Sequence, residues 1–302
     1  MPLDDLIPLT NRISIVNSPT NGRFPMACSF LVAGTDTRAL IDTGCGPEAC
    51  RAVMEKHGVD LVLNSHCHPD HVSGNHFFRG KELWVPAERA GEVGKVKTLA
   101  RRLVGPDPLV MKNWEDFVRQ GLSMDDYAPT HTFGDRHAFD FGGVSLTALY
   151  TPGHLDDHYC FWEPRENLLL TFDVDLTTFG PFYGNPESDI GRFKASMQTI
   201  MDLSPAIAAS SHQPPVRENV QEALAEFLAK FDRNEQRVAA TLDIPRTFGE
   251  ICARKPIFGK YIPGLEVLYT FFEGWMIRHH LNEMEASGKV ACAEGRYRLA
   301  PS

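Results

Sequence analysis

The run His66-Cys67-His68-Pro69-Asp70-His71 places four ligand-type side chains within six positions, directly after the apolar stretch Leu61-Val62-Leu63. Imidazole and carboxylate are the donors that borderline divalent ions such as zinc take in hydrolytic sites. Histidines at i and i+2 of a chain leaving a strand share one side and can meet one ion. The Asp-His pair that follows turns the chain and can meet a second. A polar surface loop is the plain alternative, but so dense a cluster at a strand end is improbable by chance, and we read it as a metal site. Cys67 falls on the opposite side of an alternating strand end and is read as structural.

Three further segments end a strand-like run with a ligand-type residue: Tyr150-Thr151-Pro152-Gly153-His154, Leu170-Thr171-Phe172-Asp173 and Ser210-Ser211-His212. Strand ends are where loops gather side chains from distant positions. Each alone is weak, since a lone histidine after a strand is more often a surface residue. Their recurrence after the dense cluster makes one shared site the better reading.

Around these segments the chain reads as strands near 13–16, 28–32, 39–41, 60–64 and 83–85, then 137–141, 144–150, 159–162, 168–172 and 206–209. Pro47 opens a helix to His57 that Gly58 stops. Helical patterns near 87–104 and 111–121, separated by Gly105-Pro106-Asp107-Pro108, form an insertion at about 86–130 over a sheet edge. A helix near 189–203 has Ser188 or Asp189 as its cap. Strands dominate and few neighbours are joined by crossover helices, which predicts mixed sheets, not one parallel sheet. After Pro214-Pro215 come helices near 217–241, 247–254 and 264–286 and a hairpin turning at Glu294-Gly295. Three helices with a small hairpin are similar to a winged-helix module. The expected domains are 1–215 and 216–302.

The chain has 302 residues and a net charge of −9. Residues 217–302 hold 12 basic and 12 acidic side chains, so the first 216, with 18 and 27, carry the whole excess. An acidic body argues against a protein that grips a long polyanion, although two divalent ions would offset part of it locally. No apolar run reaches the length of a membrane span. The acidic opening Met1–Asp5 lacks the marks of a signal peptide, and seven cysteines without repeated spacing fit reduced thiols. A cytoplasmic location is expected.

Taken in order, Ile41-Asp42-Thr43-Gly44, the His66–His71 cluster, Thr151-Pro152-Gly153-His154, Asp173 and His212 resemble the metallo-β-lactamase superfamily over about residues 13–215. The resemblance implies a four-layer αββα sandwich, α/β in content and α+β in arrangement, with the site along one sheet edge and a small helical, winged-helix-like C-terminal domain. It implies one ion on His66, His68 and His154 and another on Asp70, His71 and His212. Asp173 would bridge them, and Asp42 would orient ligands. Two departures stand out. Phe172 occupies a position where the family usually has Gly, and Asp175 is the rival bridge to the preferred Asp173. Gln213-Pro214-Pro215 replaces the usual Gly after His212. His154-Leu155-Asp156-Asp157-His158 resembles the lactamase-beta-2-like branch in particular, in which His158 would support ligands or pack, without binding metal.

Seven nitrogen and oxygen ligands without cysteine suit a pair of divalent ions, zinc first, with manganese or iron as alternatives. Ions about 3.5–4 Å apart would share a water and lower its pKa from 15.7 toward roughly 7. The expected enzyme is therefore a dinuclear hydrolase whose nucleophile is a metal-bridging hydroxide, with Asp70 as the catalytic side chain that orients it and passes a proton. The expected substrate is a small-molecule thioester, ester or lactone. Alternatives are an endoribonuclease or phosphodiesterase of the lactamase-beta-2-like type and an iron-dependent, persulfide dioxygenase-like oxidoreductase, which needs one ion and fewer ligands. Arg89, Lys95, Lys97, Arg101 and Arg102 either meet an anionic substrate tail or form a solvated helix face. Phe179, Phe182 and Tyr183 either wall the substrate site or pack the insertion. The C-terminal segment either holds nucleic acid or serves packing and homo-oligomer formation, and its balanced charge favours the latter. His76, His131 and His137 are read as loop and strand residues. His279-His280, in a helix with no acid pair in view, are not expected to bind metal.

Overall fold

The computed structural model of the chain describes residues 6–300; the acidic opening Met1–Asp5 lies outside them. Seven strands form the first sheet: β1 (Ile7–Pro8), β2 (Ile13–Val16), β3 (Ser29–Ala33), β4 (Arg38–Ile41), β5 (Leu61–Leu63), β6 (Glu82–Pro86) and β7 (His131–Phe133), paired in that order. Pairing is antiparallel from β1 to β4 and parallel from β4 to β7. The second sheet holds β8 (Ala138–Asp140), β9 (Ser145–Tyr150), β10 (Tyr159–Glu163), β11 (Leu168–Phe172) and β12 (Ile207–Ser210), in the order β12-β11-β10-β9-β8. Only β11 and β12 are parallel there.

Two-residue alternation decides the layers, because each strand offers opposite faces to opposite neighbours. Ile13, Ile15, Phe30, Val32, Ile41 and Leu63 of the first sheet meet Leu146, Phe161, Leu168, Leu170 and Phe172 of the second in one buried core. The intervening residues face outward. Leu31, Leu40, Val62 and Val85 are covered by α1 (Pro47–His57), α3 (Val96–Val104) and α4 (Pro108–Asp116). Leu149, Cys160, Leu169 and Ala208 are covered by α5 (Ile190–Asp202) and α6 (Val220–Ala239). The result is the expected αββα sandwich. A short α2 (Pro69–Val72) lies between α1 and α3.

Two local readings need correction. The stretch 86–130 is more than an addition over a sheet edge, since Val96, Leu99, Leu103 and Trp114 complete the outer layer of the first sheet. Its second helix starts earlier than expected, because Asp107 accepts the Leu109 and Val110 amides as an N-cap and Pro108 takes the first turn. The cap of α5 is Asp189, which accepts from the Arg192 amide.

Residues 220–299 run helix, strand, helix, helix, hairpin: α6, β13 (Arg246–Thr247), α7 (Phe248–Cys252), α8 (Glu266–Ala286), β14 (Val290–Ala293) and β15 (Arg296–Leu299), with sheet order β13-β15-β14. Met276, Ile277 and Leu281 of α8 join the core outside the second sheet, while Leu268 joins the core outside the first. One long helix therefore clasps both outer layers. No helix among the described residues is long and apolar enough to cross a membrane.

Candidate metal centre

Five strands finish at the same edge and deliver the site. β4 leads into Asp42, β5 leads into 64–71, β9 leads to His154, β11 leads into Asp173 and β12 leads to His212. Two close approaches fix these loops. Gly44 lies against the backbone at Asp70, where a Cβ would meet the Asp70 oxygen at 1.4 Å, and the Thr43 amide donates to the His71 carbonyl at 2.7 Å. Gly153, at φ +123, lies against the Phe193 backbone, where a Cβ would stand 2.2 Å from its nitrogen. Only glycine fits either place.

The seven expected side chains come together around Asp173. Its Oδ2 faces His66 Nε2 at 3.5 Å, His68 Nδ1 at 3.6 Å and His154 Nε2 at 3.1 Å. Its Oδ1 faces His71 Nε2 at 2.7 Å and His212 Nε2 at 3.2 Å. Asp70 Oδ2 stands 3.6 Å from His212 Nε2. One carboxylate thus separates a three-histidine group from a second group of Asp70, His71 and His212.

The hydrogen bonds behind the histidines decide what they present. His154 Nδ1 donates to the Phe182 carbonyl at 2.8 Å, and His212 Nδ1 donates to the Gly22 carbonyl at 2.7 Å. His71 Nδ1 donates to Asp42 Oδ2 at 2.8 Å. Ser65 donates its hydroxyl to the same Asp42 oxygen, so its oxygen accepts from His66 Nδ1 at 2.9 Å. Asn185 spends its amide N–H on the Leu103 carbonyl, so its Oδ1 accepts from His68 Nε2 at 2.9 Å. These tautomers follow from the network. All five rings therefore turn a lone pair toward Asp173. His154 Nε2 and His68 Nδ1 lie 2.8 Å apart with neither carrying a proton.

Five lone pairs and a carboxylate converging in a buried space repel one another unless cations stand between them. His66 Nε2 and Asp173 Oδ1 find no hydrogen-bond partner although both are buried. The close His71–Asp173 approach is thus not a directed hydrogen bond. Four donors about 2.0–2.2 Å from one zinc stand roughly 3.3–3.6 Å from each other; the separations here run from 2.7 to 3.6 Å, several of them within that range. The residues fit divalent cations, one on each side of Asp173.

The electrostatics agree. Burial raises the Asp173 carboxyl, but His71, His66, His212 and His154 outweigh it and hold the group well below the usual carboxylate range. Burial opposes charge on His71 and His212, yet Asp173 leads in pushing His71 well up and His212 up to about 9. His66 is driven well down by burial and by His71. The basin around Asp173 thus favours positive charge, whether carried by protons or by metal.

Of the remaining expectations, Asp42 is fully buried and takes the Ser65 amide and hydroxyl as well as His71. His158 packs its ring on His66 and His154 and points Nδ1 at Thr151, outside the group facing Asp173. Asp175, the rival bridge, is not among the ligand-type groups gathered around Asp173; it accepts from the Thr177 amide, and burial pushes it up to about 6. Phe172, where a Gly was the usual residue, adopts φ 50 and packs edge-on to Phe30 and Phe161. Cys67 is buried and points away from the cluster toward Arg102, as a structural residue would.

A cavity of about 410 Å³ opens beside Asp70, Asp173, His68 and His212. Phe179 and Phe182 line it, whereas Tyr183 does not: its hydroxyl is drawn away by His280 at 2.7 Å and Asn234 at 3.0 Å. The cations of 86–130 do not line it either. Arg89 pairs with Glu92 and Asp156, Lys95 pairs with Asp126, and Arg102 is buried between Asp157 and Glu187. His76, His131 and His137 lie outside the cluster, against Ser73 and Phe77 or around Trp84. The fold does bring acids to His280, since Glu235 and Glu283 offer oxygens within 4.8 Å of a ring nitrogen, although Lys289 already pairs with Glu235.

Sequence reasoning missed Ser65, Asn185 and the Gly22 and Phe182 carbonyls, and it read Arg102 as a substrate or surface cation where the structure buries it between Asp157 and Glu187. Ser65 sits beside His66 and was open to notice. A backbone carbonyl leaves no mark in a sequence.

An αββα sandwich with histidines and carboxylates gathered on one edge around a central aspartate defines a class of metal-binding folds. The chain matches the Metallo-beta-lactamase superfamily over residues 23–239 and belongs to that family. An atrochrysone carboxyl ACP thioesterase of Pseudocercospora fijiensis is 26% identical over 253 residues, covering 81% of this chain and 65% of that protein. Lactamase-like protein adaB of Aspergillus niger is 28% identical, covering 72% and 59%. Thioesterase pkgB of Emericella nidulans is 27% identical, covering 71% and 53%. The chain spans between about half and two thirds of the length of these curated relatives. A metallo-beta-lactamase family protein of Thermus thermophilus shares the fold with a TM-score of 0.72 at 22% identity, covering 97% of this chain and all of that one. A beta-lactamase domain protein of Burkholderia ambifaria aligns with a TM-score of 0.75 at 17% identity, covering 99% and 95%.

Proposed function

We propose that this chain is a metal-dependent hydrolase of small-molecule thioesters, esters or lactones that carry an apolar acyl part. The observation that carries the reading is the cavity. It opens on Asp70 and Asp173, and its walls are Trp114 and Phe117 from the 86–130 stretch, Phe182, and Leu268 and Phe272 of α8. Such walls reward an apolar group by the surface they remove from water, about 25 cal/mol per Å², and suit the interior of a small-molecule pocket. Two relatives bear the name thioesterase, which supports a thioester among these options.

Two divalent cations, zinc by preference, would supply an activated water and a Lewis acid beside the scissile carbonyl. His66, His68 and His154 would hold one and Asp70, His71 and His212 the other, with Asp173 between. Asp70 faces the cavity, and its position beside His212 suits it to orient the water and take up a proton. Phe182 serves twice, its ring on the cavity and its carbonyl fixing His154.

The order helix–strand–helix–helix–hairpin in residues 220–299 supports the reading of a winged-helix-like module. Its longest helix, however, turns Leu268 and Phe272 into the cavity. That placement supports a role as a substrate wall over one in holding RNA. Seven free cysteines, including Cys45 and Cys50 with sulfurs 3.6 Å apart, support a reducing compartment, and we place the protein in the cytoplasm.

The test is a panel of acyl thioesters of growing apolar size, esters, lactones, a phosphodiester and RNA, with Asp70→Asn as control. Expected are acyl hydrolysis that improves with apolar size and a loss of about 10²–10⁴-fold in Asp70→Asn with its fold intact. A metal-loaded protein that cleaves RNA and leaves every acyl substrate untouched would reject the proposal.

A further inference from the structure

Arg102 sits on α3, in the crossover helices, and contributes nothing to the cavity wall. It is nevertheless buried, and its guanidinium reaches three separate segments. Nε and Nη2 donate to the two Glu187 oxygens at 2.9 and 2.6 Å, while Nη1 donates to Asp157 Oδ2 at 2.9 Å and reaches Cys67 Sγ at 3.1 Å.

Each of these segments bears on the three-histidine side of Asp173. Cys67 stands between His66 and His68. Asp157 lies in the loop that carries His154. Glu187 belongs to 182–188, whose Phe182 carbonyl and Asn185 Oδ1 accept the protons of His154 and His68. The same loop holds the His154 carbonyl through Ser188 Oγ at 2.8 Å, and Glu187 Oε1 also accepts the Asp156 amide. The neighbour of Arg102 closes the circuit, since the Leu103 carbonyl accepts the Asn185 amide at 3.0 Å.

We propose that Arg102 is a positioning residue for the first metal subsite: its planar fork locks the loops at 66–68, 154–157 and 182–188 into one register, so that His66, His68 and His154 converge. This rests on the metal-dependent reading above. It assigns a purpose to the crossover helix that a lining role for its cations does not. A fork with several fixed donors can hold a bidentate carboxylate, a second carboxylate and a sulfur at once, whereas the single ammonium of lysine cannot. The second subsite is held differently, through Asp42 and the Gly22 carbonyl. It is therefore spared.

The test titrates metal-freed protein with Co²⁺ and with Zn²⁺ against a chelating competitor. Wild type is expected to take two equivalents. In Arg102→Lys one equivalent weakens by about 10–100-fold, with an altered visible absorption for that cobalt, while the other stays within about threefold of wild type. Arg119→Gln, which loses only exposed pairs with Asp125 and Asp126, is expected to behave as wild type. Should Arg102→Lys fail to fold, the neutral combination Arg102→Met, Asp157→Asn, Glu187→Gln removes the clamp without stranding a buried charge, and the same selective loss is expected. Two equivalents bound with unchanged affinity and spectrum would overturn the proposal. A wild type that takes up no ion would overturn the metal reading and this proposal together. A wild type with two ions but no acyl hydrolysis would reject the function alone.

Discussion

Replacing Asp42 with asparagine changes one oxygen into an amino group and moves no ring, yet it should empty half of the centre. Asp42 Oδ2 accepts from His71 Nδ1 at 2.8 Å and from the Ser65 hydroxyl at 2.7 Å, while Oδ1 accepts the Ser65 amide at 2.8 Å. Asparagine keeps the bond to the Ser65 amide and presents N–H to the other two. A neutral His71 then gains a hydrogen bond only by turning its Nδ1 lone pair toward the new amide, which moves its proton to Nε2, the atom that faces Asp173 Oδ1 at 2.7 Å. The proton stands where a cation must bind. Hydrogen bonds to a charged acceptor contribute about 1.5–3 kcal/mol, and about 1.4 kcal/mol corresponds to tenfold in affinity, so a loss of roughly 10–100-fold is expected. It should fall most heavily on the equivalent held by Asp70, His71 and His212; His66 shares part of the effect, because the Ser65 hydroxyl loses its acceptor and can turn its proton to His66 Nδ1, whereas His68 and His154 are fixed elsewhere. Competitive metal titration with circular dichroism as a fold control reads it directly. An Asp42→Asn protein that binds both equivalents as tightly as wild type would refute the tautomer argument.

Two predictions concern stability. Phe172→Gly relieves a left-handed conformation that costs a non-glycine residue about 1–2 kcal/mol, but it removes a ring packed between Phe30 and Phe161, and truncating a buried Phe costs about 3–5 kcal/mol. Packing wins, and urea unfolding should show a net loss of about 1–4 kcal/mol; a variant as stable as wild type would mean that strain dominates. His280 is buried beside Tyr183, and burial drives it down to about 3, below the unfolded value near 6.5. The unfolded chain therefore binds the proton first, so stability is lost as pH falls from about 6.5 toward about 3, by roughly 1.4 kcal/mol per pH unit from this residue. His280→Gln should flatten the acid limb of the stability curve by about that slope; parallel curves for the two proteins would contradict it.

How much of this was legible in the sequence depended on whether a feature was local. Short apolar runs such as Ala39–Ile41 and Leu168–Phe172, and the alternation in 137–141, marked strands because both patterns are written in consecutive residues. The seven ligand-type residues were legible because four of them crowd together after one such strand and each of the others follows another. Arg102 was not: its helix looks like a charged surface face, and only the folded chain shows that Asp157 and Glu187 come to meet it. Tyr183 was misplaced for a similar reason, because an aromatic in a loop near the site does not reveal that its hydroxyl finds a distant histidine on α8. That helix offered one signal that went unread. Leu268, Phe272, Met276, Ile277 and Leu281 make it apolar on more than one side, which is the mark of a helix buried between two partners.

Anomalous diffraction from crystals of the metal-loaded protein tests the central claim most directly. The account requires two peaks flanking Asp173, one about 2.0–2.2 Å from nitrogens of His66, His68 and His154 and the other at like distance from Asp70, His71 and His212. A single peak, or none, in crystals whose seven side chains hold the arrangement described would contradict it.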